Sequence, residues 1–116
     1  MKQDRVFPLG NVEISNDILA TIAAKAAYSV EGVLDVAGRD LTRTGSAKSR
    51  VHGKLVMRIK DSFIYIDIPV ILEYGYHVQK VATEVQRRVK EDIEMMTGLY
   101  VVEINVLVED LVTKAD

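Results

Sequence analysis

The residues best equipped for chemistry in this chain crowd into one stretch, EVQRRVKEDIEMMTGLYVVEINV, from Glu84 to Val106. Glu91, Asp92 and Glu94 could form a paired-carboxylate acid/base site if two of them shared an enclosed pocket. On a helix, however, these positions fan round the solvent side, and nothing near them promises the burial that shifts a catalytic pKa. Arg87 and Arg88 invite an anion-binding reading, but Lys80–Glu84, Glu84–Arg88, Arg88–Asp92 and Lys90–Glu94 are opposite charges at i,i+4. Such pairs support exposed helices, whereas a nucleic-acid helix carries a row of unopposed Lys and Arg. The charged half therefore reads as the wet side of a helix.

The remaining chemistry is sparse. His52 and His77 fall in different elements, and no second His or Cys stands at metal-ligand spacing. The chain has no cysteine, which removes disulfides, thiolate metal sites and cysteine nucleophiles and fits a cytoplasmic protein. There is no G-x-G-x-x-G, no G-x-x-x-x-G-K-[ST], no G-x-S-x-G and no G-x-x-G. We expect no cofactor, no metal and no catalysis. One segment does carry nearly unopposed charge. From Gly38 to Gly53, GRDLTRTGSAKSRVHG sets Arg39, Arg43, Lys48 and Arg50 against Asp40 alone. A phosphoanion or nucleic acid could bind there, although the loop lacks aromatics for base stacking. The plainer reading is a flexible polar surface loop.

These residues hang on a legible frame. The 116 residues suffice for one domain with its own core, and 48% hydrophobic with 28% charged residues is ordinary globular composition. A net charge of −2 shows no overall pull toward nucleic acid or an anionic membrane. No window approaches the roughly 18 apolar residues of a membrane span, and the N-terminus lacks a secretory apolar run. Asn11 to Ser15 alternates like a short strand. Ser15, Asn16 and Asp17 offer helix N-caps, and Ile18, Leu19, Ile22, Ala23, Ala26 and Val30 form a helical stripe toward Gly32. Val33–Ala37 reads as a short strand. Leu55–Lys60 and Phe63–Tyr74 alternate about an Asp61-Ser62 turn and predict a hairpin, with Pro69 marking an edge or a bulge.

A helix from near His77 would bury Val78, Val81, Ala82, Val85, Val89, Ile93 and Met96 and stop at Thr97-Gly98. Leu99–Val108 is the last strand, with Val102, Ile104, Val106 and Val108 inward. The sum is an α+β fold in the order β-α-β-loop-β-β-α-β: a small mixed β-sheet with two helices packed on one face. The opposite face would then carry Val56, Phe63, Tyr65, Ile71, Val101 and Leu107 among charged residues. That is more apolar than a wholly solvated face, and either the chain covers it or a partner binds there.

The strand, cap and helix of GNVEISNDILATIAAKAAYSVEGV, with the later V-x-x-V-A-x-x-V-Q-x-x-V and M-T-G-L-x-V-x-x-I-N-V-x-V, resemble the alkaline shock protein family of Gram-positive bacteria. The match runs from Gly10 to about Val112. The resemblance implies a non-enzymatic cytoplasmic protein of the envelope stress response. It also implies self-association or a protein partner, such as the separate anchor that holds some family members at the membrane. It carries over no catalytic or cofactor residue. Gln86 and Asn105 are the polar members of the motif and call for a hydrogen-bond or contact role.

Overall fold

A computed structural model describes residues 13–38 and 49–114. The expected first strand falls partly outside these, and Glu13 to Ser15 lead straight into a helix without joining the sheet. That helix, α1 (Asn16–Tyr28), is capped by the Ser15 side chain, which accepts from the Ile18 amide at 3.2 Å. Its buried side is Leu19, Ala20, Ala23, Ala24, Ala26 and Ala27, while Ile18 is exposed. The inward stripe is thus mostly alanine, which lets the helix lie close against its neighbours. The helix stops at Ser29, before the expected Gly32. Gly32 instead takes a positive φ in the turn that follows, where an added Cβ would sit 3.0 Å from a Val81 methyl.

The strands are β1 (Val33–Val36), β2 (Val56–Lys60), β3 (Phe63–Glu73) and β4 (Tyr100–Val112), with α2 (Val78–Thr97) between the last two. β3 is the spine of the sheet. β4 runs parallel to it along its whole length, as the α2 crossover requires. β2 and β1 pair antiparallel with β3 at Phe63–Asp67 and at Val70–Leu72, sharing the other edge in succession. The sheet is therefore mixed, as expected. Pro69 is not at an edge: it sits in the spine, in the gap between β2 and β1, where its missing amide interrupts no ladder. Its carbonyl accepts from Ala37 at 2.9 Å.

Both helices pack on one face. Leu19, Ala23, Val81, Val85, Val89 and Ile93 meet Ile64, Ile66, Ile68, Val70 and Leu72 in a single apolar cluster. Of the predicted α2 stripe, Val78 and Met96 are exposed rather than buried. His77 caps α2, its Nδ1 accepting from the Lys80 amide, and Gly98 closes it at φ 74°.

Two register shifts divide β4. Ile64 pairs with Val101 and Tyr65 with Glu103, so Val102 is an extra residue; Glu109 is likewise extra between Val108 and Asp110. Such bulges change which face each side chain takes. Val101 faces the core and is 5% exposed, whereas Val102 is 53% exposed. This reverses the assignment that simple alternation predicts for the pair. Ile104 and Val106 regain the core side, partly buried.

Candidate functional site

Four of the six apolar residues expected on the open sheet face are there for another molecule to touch, Val56 among them at 43% exposed. Phe63 is 45% exposed and Leu107 48%, with Tyr65 half-buried between them. Val101 belongs to the core instead, for the reason given above. Ile71 does face away from the helices but is 6% exposed, because the chain covers it. Residues Ser49–Gly53 cross this end of the sheet, over Pro69 and Ile71.

The crossing segment is held by two carboxylates. Asp35, 1% exposed on β1, accepts from the Val36 amide with one oxygen and from the Arg50 amide with the other, at 2.9 and 2.7 Å. Glu109, thrown out by its bulge, accepts from His52 and Gly53 at 2.9 and 2.6 Å. Those two amides hold its carboxyl below the usual carboxylate range. Gly53 fits this crossing closely: a Cβ there would lie 2.8 Å from the Glu109 carboxylate, which would have to shift, and 3.0 Å from the Pro69 ring.

This arrangement bears on the basic loop. Arg39, Arg43 and Lys48 lie outside the described residues. Arg50 is described, and its Nε stands 3.9 Å from Asp35. The loop's last cation is thereby tied to a buried carboxylate of the fold.

The exposed part of the sheet face has an aromatic end and a polar middle. Phe63 and Tyr100 lie side by side, ring centroids 6.5 Å apart, with the Lys90 ammonium 5.7 Å from the Tyr100 ring. Arg58 sits 5.5 Å over Tyr65. Next to them Asn105 donates to Asp67 at 2.8 Å and to Glu103 at 2.9 Å, which is the role of the polar motif residue on this strand.

The other polar motif residue lies on the opposite side of β4. The Gln86 amide donates to the Ile104 carbonyl at 3.0 Å. Lys90 reaches the Val101 carbonyl at 3.3 Å, and Glu94 accepts from the Val101 amide at 3.0 Å. Gln86, Lys90 and Glu94 stand at i, i+4 and i+8 on α2, so one helical row satisfies the outward backbone of the first part of the β4 edge. The Lys90 contact, then the Val101 amide, keep the Glu94 carboxyl below its usual range. Sequence reasoning missed this row because the polar spacing resembles a surface charge pair.

The acidic cluster is likewise occupied. Arg87 bridges Glu84 at 2.7 Å and Glu91 at 3.1 Å, and Lys90 pairs with Glu94 at 2.6 Å. Of the expected pairs Lys90–Glu94 forms, while the Arg88 pairs give way to Arg87, which turns toward Glu84 and Glu91. Among the described residues, no three His, Cys, Asp or Glu side chains gather as metal ligands. No helix there is long and apolar enough to cross a membrane.

Two helices on one face of a small mixed sheet, with no assembled catalytic constellation among the described residues, define a small α+β protein with an accessible sheet face. Residues 6–113 match the alkaline shock protein 23 family, described as having a cell envelope-related function, and the chain belongs to that family. It is 35% identical over 100 residues to YqhY of Bacillus subtilis, covering 84% of this chain and 74% of that one. With YloU of the same organism it shares 29% over 104 residues, covering 86% and 87%. A stress response regulator gls24 homolog of Streptococcus pyogenes is 28% identical over 112 residues, 90% of this chain and 60% of that longer protein. Among solved structures, a variant of the MamM CTD superposes with a TM-score of 0.58 at 16% identity, covering 85% of this chain and 84% of that one. That likeness concerns the fold alone.

Proposed function

We propose that residues 1–116 form one alkaline-shock-type domain that serves the envelope stress response without catalysis, as a module that binds a protein partner. The observation that carries this reading is the aromatic end of the open sheet face. Phe63, Tyr65 and Tyr100 present accessible rings on a rigid sheet, ringed by Arg58, Lys90, Asp67 and Glu103. Aromatic and Arg anchors within a polar rim are the usual composition of a protein contact. The family's envelope association points to a cytoplasmic chain held near the membrane by a membrane-anchoring protein, and that protein is the partner we assign to this face.

The test is crosslinked capture from cells followed by mass spectrometry, comparing the natural chain with a Phe63→Ala, Tyr65→Ala variant. A defined membrane protein recovered with the natural chain, crosslinked through this face and lost with the variant, supports the reading. Equal recovery with both chains, or none with either, overturns it.

A further inference from the structure

The row Gln86, Lys90, Glu94 guards only part of the β4 edge. Backbone groups alternate in direction along a strand, so the outward position of the Ile104 carbonyl puts the N–H and C=O of Val106 and Val108 outward as well. Among the described residues nothing pairs with these. They lie between the two bulges of a 13-residue edge strand that contains no Pro and no Lys. An edge left so open is a template for another strand.

The surface beside the open stretch indicates which strand. Above it lies a groove of about 500 Å³, with Val78, Gln79, Ala82 and Thr83 of α2 on one side and Val106 and Val108 on the other. The α2 side chains that line this groove, Val78, Gln79, Ala82, Thr83 and Gln86, are uncharged, with the capping His77 at its end, and Arg87 and Lys90 enter this side of the helix only further along, beside Val101–Ile104. Lys80, Glu84 and Arg88 line the opposite flank, beside Ser29–Glu31. A surface that meets its own copy across a two-fold axis sets like residues near one another, so it must avoid charge near the axis. Small residues such as Ala82 and Thr83 also let two helices approach.

We infer that a second copy of this chain adds its β4 antiparallel to this one, centred on Leu107, to make one continuous sheet across the pair. In that register Val106 of each copy exchanges both backbone bonds with Val108 of the other, and Gln86 keeps its hold on Ile104. Leu107, exposed in the single chain, packs against itself. Glu109 falls opposite Asn105, so no carboxylate faces a carboxylate. Centring the pair on Val106 is worse on both counts, because it displaces Gln86 and sets Glu103 against Glu109. The inference deepens the reading that this domain acts through contacts with other chains, and names one of them.

The chain contains no cysteine, so a single introduced thiol reports alone. Residues opposite each other in a non-hydrogen-bonded antiparallel pair have Cα atoms about 4.5 Å apart, within the roughly 4.4–6.8 Å range of disulfides. Purified Leu107→Cys should become a disulfide-linked dimer on mild oxidation. Val56→Cys, on the far edge of the sheet, should stay monomeric. Adding Thr83→Glu to Leu107→Cys should slow crosslinking at least tenfold with an unchanged thermal melt. A Leu107→Cys chain that stays monomeric, a Val56→Cys chain that links as fast, or a Thr83→Glu variant that melts normally and links undiminished overturns the inference. The purified chain is used without any partner, so this result and the capture experiment on Phe63 and Tyr65 can fail separately.

Discussion

Glu109 shows how much one misplaced residue can do. A regular strand would aim its carboxylate elsewhere; the bulge presents it to the His52 and Gly53 amides. Its folded pKa is depressed, chiefly by the His52 amide and then by that of Gly53. A depressed carboxyl contributes stability that is fully present above its unfolded value, about 4.3, and is lost as pH falls through the lower folded value. The crossing segment should therefore loosen only below about pH 4. In an NMR titration the His52 and Gly53 amide resonances should move together in that range and stay fixed from neutral pH down to about 5. Glu109→Gln, which keeps one acceptor but cannot ionise, should remove the transition and leave both amides exchanging faster at neutral pH.

Among the elements, the β4 edge has the clearest division of labour. Gln86→Ala frees the Ile104 carbonyl to solvent. Its cost in stability should stay below about 1 kcal/mol, since the orphaned acceptor can find water. The visible change should lie in association. With the guard gone the open edge lengthens, and light scattering should report species beyond a discrete dimer at concentrations where the natural chain gives none.

The same strand marks where sequence reasoning ends. Ser15, His77 and Gly98 signal the helix ends through local backbone chemistry, and all three act as such. The hairpin about Asp61-Ser62 and the helical valine stripe were equally readable from spacing. The Val102 and Glu109 bulges arise from pairing with a strand far away in the sequence, and no local pattern announces them. Val101 and Val102 follow from that: alternation placed Val101 outside and Val102 inside, and the first bulge exchanged them, while Val108, expected inward, is 36% exposed and outside the core cluster. Phe63, Tyr65 and Leu107 face outward as expected because they lie where alternation still holds. Ile71 was placed on the correct face, but its cover depends on a chain crossing fixed by Asp35 and Glu109.

At the scale of the whole molecule, one apolar cluster joins both helices to the spine strand, so the described elements should lose their packing together. Leu19 is fully buried within that cluster and its neighbour Ile18 is not, although both belong to the predicted stripe. Leu19→Ala should destabilise by about 2–5 kcal/mol, and Ile18→Ala by no more than about 0.5 kcal/mol. Chemical denaturation followed by circular dichroism checks both values. A single transition, rather than two, is the outcome expected of one domain.

The Val102 bulge also has a consequence for how this chain can change over time. Without Val102, Val101 would still pair with Ile64 and Glu103 with Tyr65, and every later side chain would keep its place. The strand therefore holds a spare residue, and a deletion at this position, unlike one among the regularly paired residues of β4, shortens the gene by one codon without turning the strand over. Related chains that differ in length here should align on either side of a one-residue gap, their inward residues unchanged.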